Sequence, residues 1–426
     1  MTMWQRLSRR RFLGGACSML GAPCILTSRA LGGPQADAAS ERIGLAVIGT
    51  RNMGGSHLGV VVKMRQFDLR ACCDVDKKVL ANALATVERQ TSKQARGLGD
   101  FRHVLDAKDI DAVIIATPDH WHALMAVMAC QAGKDVYCEK PLSLTIREGR
   151  RMVEAARRYG RVFQTGSQHR SKLHTRLACE LVRNGRIGKV HTIITNIPGC
   201  NWTPPPVPDG PAPPELDYDL WLGPAPYRPY NEKRVHYVFR FFWDYSGGQM
   251  TNFGHHANDL AQWGNGSDDT GPISAEGTAQ YEPNGWYEVP MKCEATLEYA
   301  NGAKLVCRTG AAEGALFEGE KGKIHCGYGK MTTDPPQIAH DLPRPEELHL
   351  YRSTHHHVDW AECIKSRARP IADVETGHRS VTVCHLANIA IRMRRRIRWD
   401  PEKEEILGDD EAARMLDKPY RQPWTL

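Results

Sequence analysis

Short apolar runs alternate with helix-patterned segments over the first half of the chain. "IGLAVIGT", "FDLRACCDVD", "DAVIIATP", "DVYCEKP" and "RVFQTGSQ" are each of strand length. Between them lie stretches with helical spacing. "WHALMAVMACQAG" ends on Gly133, a glycine stop, and "TIREGRRMVEAARRYG" opens on a capping box of Thr145 with Glu148. This alternation predicts βαβ units, a parallel sheet and helices on both of its faces over residues 42–165. After residue 166 the pattern changes. "RIGKVHTIIT" is followed by a proline-rich crossing from Pro204 to Pro214 and a helix from about Thr251 to Trp263. Next come β-rich runs such as "CEATLEYANGAKLVCRTG", with a hairpin signal at Asn301-Gly302. Two late helices, around "HHHVDWAECIKS" and "GHRSVTVCHLANIAIRM", precede a short tail.

The first strand runs into "GTRNMGG". Gly49 closes the strand, Gly54 lets the next helix pack on it, and the amides of Arg51, Asn52 and Met53 at the helix start are placed to receive a pyrophosphate. The middle glycine of the usual fingerprint is replaced by Arg51, which serves only by turning its guanidinium toward the phosphates. Asp74 ends the second strand twenty residues after Gly54, where a carboxylate accepts hydrogen bonds from ribose hydroxyls. Val75 after it offers no charge for a 2′-phosphate, so NAD is expected rather than NADP. In an open parallel sheet the ligand crevice lies off the carboxyl ends of the strands, where "ATPDHWH" and "CEKP" both fall. Lys140, at such an end and beside Pro141, is placed to hydrogen-bond a substrate hydroxyl and stabilise negative charge on its oxygen. The bland alternative is a surface pair with Glu139.

With 426 residues, 41% hydrophobic and 25% charged, the chain is long enough for two domains. Of its net charge of +7, five arginines against Asp37 place +4 in the first 38 residues, which excludes a broad nucleic-acid footprint. The run "RMRRRIR" from Arg392 to Arg398 reads as a solvated helix end. None of the thirteen cysteines forms a CxxC pair and several sit in apolar runs, so neither a disulfide framework nor a cysteine metal site is expected. The triple histidine 355–357 has no acidic or cysteine companion at ligand spacing, so no metal is expected there.

Residues 1–38 read as an address. Ser8, Arg9, Arg10, Arg11, Phe12 and Leu13 form a twin-arginine export pattern, followed by an apolar stretch to Leu26 and small residues around Ala36 to Ala39. That stretch is too short to span a bilayer stably. The twin-arginine machinery carries folded proteins, which suits a chain that takes up its cofactor before export, and the expected location is periplasmic or otherwise exported.

The glycine turn with Asp74, "ATPDHWH", "CEKPLS", "ELVRNGRIGKV", "LDYDLWLGPAP" and "WDYSGGQMTNFGHHANDLAQWGNG" follow one another in order. In this ordered set the chain resembles the Gfo/Idh/MocA family, over nearly all of the sequence beyond the address. The resemblance implies a Rossmann dinucleotide-binding domain followed, over 166–426, by an α/β domain. The large, mostly antiparallel sheet of that second domain forms one wall of the substrate cleft and often the interface of a dimer or tetramer. In inositol dehydrogenase-like members the reacting hydroxyl lies between the lysine of the EKP motif and a histidine of a DxxxH segment. By that pattern Lys140 and His256 are the catalytic candidates, with His256 as base. Asn252 replaces the aspartate, so it orients but does not stabilise an imidazolium by charge. His255 is the neighbour that could exchange roles with His256. Thr117, Pro118 and His122 fit the family's loop under the nicotinamide ribose, and Glu139 joins them as a cofactor contact. Gln168, Arg170, Arg240, Trp243, Asp244, Tyr245, Asn252 and Asp259 supply donors, acceptors and aromatic surface suited to a polyol.

The function expected is an exported, nicotinamide-dependent oxidation of a secondary hydroxyl on a sugar, glycoside or cyclitol, with a tightly held cofactor. Two alternatives stand beside it. One is a glycosidase that uses NAD in an internal cycle of C3 oxidation and elimination; the other is a cofactor-bound sensor without turnover.

Overall fold

The computed structural model describes residues 42–200, 206–311 and 313–426. The twin-arginine pattern and the small-residue run after it lie outside the described residues.

The first sheet has six parallel strands: β1 (Ile43–Ile48), β2 (Phe67–Cys73), β3 (Arg96–Leu98), β4 (Ala112–Ile115), β5 (Asp135–Cys138) and β6 (Phe163–Thr165). They run in the order β3-β2-β1-β4-β5-β6, so the direction of winding reverses between β1 and β4. That is the switch point where a crevice opens in a doubly wound sheet. Alternate residues of the central strands enter separate cores. Ala46, Ile48, Val113 and Ile115 face one layer of helices, and Leu45, Val47, Cys72 and Ile114 face the other. Burial on both faces is why these strands read as continuous apolar runs rather than as alternating ones. The helices are α1 (Met53–Val61), α2 (Lys77–Thr91), α3 (Phe101–Asp106), α4 (Asp119–Gln131) and α5 (Ile146–Arg158). At the start of α5 the Thr145 side chain accepts from Glu148 N, and the Glu148 carboxylate accepts from Thr145 N. Two orphan donors of the first turn are thereby satisfied.

Next come α6 (Leu173–Arg183), α7 (Tyr218–Leu222), α8 (Gln249–Asn252), α9 (Gly254–Asn265), α10 (His356–Ser366) and α11 (Val374–Met393). The expected helix from about Thr251 to Trp263 is in fact two, broken at Phe253. The second sheet has nine strands in the order β13-β12-β11-β7-β10-β9-β8-β14-β15. They are β7 (Val190–Ile197), β8 (Ser274–Gln280), β9 (Lys292–Glu298), β10 (Lys304–Thr309), β11 (Ala315–Gly319), β12 (Gly322–Cys326), β13 (Met331–Asp334), β14 (Ile397–Asp400) and β15 (Glu405–Ile406). Only β7 and β10 pair in parallel; the other pairs are antiparallel. Gly302 turns the β9–β10 hairpin at φ 88°. The residues of α6, α9 and α11 fill the core on one face of this sheet.

Two returns of the chain shape the cleft. The segment from Val207 to Tyr245 crosses the carboxyl end of β2: Lys77 N donates to Glu215 O at 3.0 Å and Asp217 N donates to Val75 O at 3.0 Å. Helix α11 shares both cores, with Val374 and Val381 in that of the parallel sheet and Val383, Ala387 and Ile391 in that of the second sheet. The described cysteines are free thiols, all buried except the half-buried Cys293. Among the described residues no helix is long and apolar enough to cross a membrane. The arginines after α11 are engaged at the surface, Arg395 with Asp409 and Glu411 and Arg396 with Glu298.

Candidate active site

A cleft of about 1170 Å³, counted with the solvent at its open mouth, lies off the carboxyl ends of β1, β2, β4 and β5. Its floor holds Gly49, Arg51, Asn52, Met53, Asp74, Thr117, Pro118, Glu139 and Lys140, and its roof is the crossing segment, through Leu216, Trp221, His236, Phe239 and Arg240. The floor is built close. Gly49 has φ 79°, and a Cβ there would stand 2.6 Å from Ala116 O; one on Gly54 would stand 1.8 Å from Gly49 O. Only glycine admits this contact of turn, strand and helix.

Asp74 is fixed by the same turn. Its Oδ2 accepts from Thr50 N at 2.8 Å and Thr50 Oγ1 at 3.1 Å, and its Oδ1 accepts from Asp76 N at 3.0 Å. Burial raises its pKa, against those hydrogen bonds. Thr117 Oγ1 is buried with no protein partner on the cleft wall. A glycine turn after β1 that brings backbone to the cleft, flanked by a carboxylate at the end of β2 and an unpartnered hydroxyl at the end of β4, fits a dinucleotide: its pyrophosphate at the start of α1, its ribose at Asp74.

The Lys140–Pro141 peptide is cis. Lys140 does not pair with the Glu139 carboxylate through its amine. Its Nζ donates across the cleft to Asn252 O at 3.0 Å and Asn252 Oδ1 at 3.1 Å. Burial lowers the pKa of this amine, with Glu139 and Asp119 opposing and Arg240 reinforcing. Asp119, which the sequence reading passed over inside "ATPDHWH", lines the cleft and accepts from Ser246 Oγ. It ties the start of α4 to the segment before α8.

His256 stands one turn beyond Asn252. Its Nδ1 is buried without a partner, and its ring meets that of His169 edge-on at 4.7 Å. Burial drives its pKa far below the ordinary histidine value, and the nearby Lys140 charge is the next cause. It is a neutral imidazole with a lone pair to offer. His255 points elsewhere, with Nε2 3.0 Å from Ser167 Oγ. Sequence reasoning missed His169, which stacks on Tyr328 at 4.0 Å and also has an unpartnered Nδ1; it sits between Gln168 and Arg170 with no pattern to single it out. Gln168 Oε1 is likewise buried and unpartnered.

Several expected contacts have other duties. Arg170 was expected on substrate, but it is 2% exposed and its Nε lies 2.9 Å from both carboxylate oxygens of Asp259, with Asp268 Oδ1 at 2.8 Å from Nη2. Asp259, 1% exposed, also accepts from Ser380 Oγ. Both charges are engaged within the protein, since a fully desolvated charge takes the nearest opposite charge, and neither residue is on the cleft lining. His122 does not touch the cleft; its ring bridges Thr117 O at 2.9 Å and Pro141 O at 2.8 Å, bracing the two strand-end loops. Trp243 lies between Arg392 at 3.7 Å and Lys418 at 4.4 Å, Asp244 pairs with Arg228, and Tyr245 is buried against His120 and Trp221. None of these three lines the cleft. Among the described residues no group of three His, Cys, Asp or Glu side chains is arranged to hold a metal ion.

Fold and site together define a dinucleotide-dependent redox protein: a Rossmann crevice whose far wall brings polar and basic side chains to the nucleotide. The NAD-binding Rossmann domain of an oxidoreductase family matches residues 43–167, and that family's C-terminal alpha/beta domain matches residues 178–426. The chain belongs to the Gfo/Idh/MocA oxidoreductase family, and NAD is the cofactor of its first domain. It is 30% identical over 153 residues to the levoglucosan dehydrogenase of Pseudarthrobacter phenanthrenivorans, which is 35% of this chain and 39% of that protein. It is 31% identical over 160 residues to a glycosyl hydrolase family 109 protein of a Shewanella species, 37% of this chain and 31% of that protein. The matched stretch thus spans well under half of either relative. Among solved structures, the WlbA dehydrogenase from Bordetella pertussis, in complex with NADH and UDP-GlcNAcA, superposes with a TM-score of 0.62 at 20% identity, covering 84% of this chain and 99% of that one. The aldose-aldose oxidoreductase from Caulobacter crescentus, complexed with glycerol, gives 0.63 at 19%, with coverage of 84% and 99%. At these identities the likeness is one of fold.

Proposed function

We infer that the protein oxidises a secondary hydroxyl of a sugar, glycoside or cyclitol, with NAD tightly held in the cleft. The observation that carries this reading is Lys140. It is a half-buried lysine whose amine has a lowered pKa, at the end of β5, held by Asn252 four residues before His256, whose Nδ1 has no partner. NAD supplies the hydride acceptor. The protein's part is to bind and orient the alcohol, with the amine of Lys140 hydrogen-bonded to the reacting oxygen and His256 taking its proton. The polar atoms of His169 and Gln168 near His256 suit further hydroxyls of a polyol. The test is direct: denature the purified protein, weigh the nucleotide released, and follow nicotinamide reduction in the intact protein against a panel of sugars. Failure of every secondary alcohol to reduce a bound or added nicotinamide sinks the reading.

A second reading is supported by the similarity to family 109 glycosyl hydrolases. There the same hydride would return to the sugar after the aglycone has left, so a synthetic glycoside would be cleaved with no external electron acceptor. Export rests on the twin-arginine pattern; replacing Arg9 and Arg10 with lysine should retain the protein in the cytoplasm. The open face of the nine-stranded sheet is the surface for self-association into a dimer or tetramer, which light scattering of the purified protein measures.

A further inference from the structure

The triple histidine 355–357 plays no part in the site described so far, yet its last member ends a line of polar contacts that begins in the cleft. Glu139 lines the cleft beside Lys140. Its Oε2 accepts from Lys140 N at 3.1 Å, and its Oε1 lies 2.9 Å from His57 Nε2. His57 Nδ1 in turn lies 2.8 Å from Nε2 of His357. Glu139 and His57 are 4% and 3% exposed, His357 is half-buried, and His355, 5.7 Å from it ring to ring, is exposed. The line therefore runs from cleft to solvent. Tyr137 sheathes it, stacked on His357 at 5.3 Å and edge-on to His57 at 5.0 Å. Room for the carboxylate comes from Gly166, where a Cβ would stand 2.7 Å from Glu139 Oε1.

We propose that Glu139, His57 and His357 form a proton conduit between the solvent and the cleft, serving hydride exchange at the site inferred above, on which it rests. An imidazole accepts a proton at one nitrogen while releasing one from the other, so two rings in series relay a proton in one pass. Beside an anionic carboxylate the resting arrangement has a proton on Nε2 of both rings: His57 donates to Glu139, His357 donates to His57. For entry, a solvent proton joins His357 Nδ1, the His357 Nε2 proton moves to His57 Nδ1, and the His57 Nε2 proton moves to Glu139, which is neutralised and gives its proton to the cleft when a carbonyl is reduced. Exit is the reverse: it starts from protonated Glu139 with both rings protonated on Nδ1 and restores the resting arrangement. The charged and titratable groups facing this line are Lys140 at Glu139, and His355 and His356 at His357; the phenol of Tyr137 faces both rings. His356 is held apart by Thr165 O and Ser171 Oγ, so it does not divert the proton.

The protein with its nicotinamide reduced is mixed with a keto sugar in weak buffer, with nicotinamide absorbance reporting hydride transfer and an indicator dye reporting the proton. In the native protein hydride transfer and proton uptake should appear together. In His357→Phe, which keeps the stack on Tyr137, the first hydride transfer should be unchanged. Proton uptake should lag about tenfold or more and recover with added imidazole. Synchronous uptake in His357→Phe, or a lag that imidazole does not repair, overturns the conduit. Nitrogen NMR of labelled histidine gives a readout independent of turnover: a proton on Nε2 of both His57 and His357 supports the line, and a proton on Nδ1 of either ring in the resting protein overturns it. Should no sugar reduce the nicotinamide, the oxidoreductase reading fails, and the tautomers still decide the line.

Discussion

The two walls of the cleft are finished to different degrees. On the floor of the cleft the carboxylates already have protein partners, Asp74 in Thr50 and Glu139 in His57, and Thr117 Oγ1 is the buried side-chain oxygen left open among its described lining residues. Behind Asn252, off the cleft lining itself, buried polar atoms lack one: Nδ1 of His256 and His169 and Oε1 of Gln168. A buried polar atom without a partner costs on the order of 1–3 kcal/mol, so a fold keeps a group of them where another molecule completes them. The floor is largely satisfied from within, and the region behind Asn252 is not. Arg170 and Asp259 lie behind the second wall but behave like the first, with their charges spent on each other.

Substitutions test that contrast in descending size. Arg170→Ala strands the Asp259 carboxylate and should lower stability by about 3–5 kcal/mol in chemical denaturation, leaving the KM of whatever protein folds near the native value. A large KM change without loss of stability would move Arg170 to the substrate wall. Lys140→Ala should lower kcat about 10²–10³-fold with NAD affinity retained, as measured by steady-state kinetics and calorimetry. His256→Ala should lower kcat about 10²-fold. Because its pKa lies far below 6.5, the acid limb of the native rate profile should fall below the range of an ordinary histidine base. Asp74→Ala should weaken NAD about tenfold and narrow its preference over NADP, with kcat nearly unchanged at saturating nucleotide.

Acid sharpens the comparison further. Burial lowers His120, His169, His255 and His385 to about 3 and His356 to about 4. Each is neutral when folded and protonates near 6.5 when unfolded, so unfolding takes up protons below 6.5. Their contribution is whole above pH 6.5 and is lost as pH falls from there toward 3, by about 1 kcal/mol per histidine per unit. The denaturant midpoint measured across that window should fall steeply.

The parallel sheet was legible because its signals are local. Buried strands are continuous apolar runs, Thr145 and Glu148 cap each other within four residues, and Gly49 and Asp74 occupy fixed places around one turn. The strand end at "CEKP" likewise announced Lys140 on the cleft lining, whereas His256 was singled out only by resemblance. What stayed hidden was pairing across the fold. Arg170 meets Asp259 from 89 positions away and His57 meets His357 from 300, and nothing in either neighbourhood announces the partner. The crossing segment was visible as prolines, but its place as the roof over Asp74 follows from the backbone bonds at Glu215 and Asp217, which have no sequence signature.

Helix α11 carries a mechanical consequence. Val374 and Val381 belong to one core and Val383 and Ile391 to the other, and a Cβ on Gly377 would stand 2.1 Å from Thr165 Oγ1. Lobes that share a single rigid rod cannot swing apart like jaws.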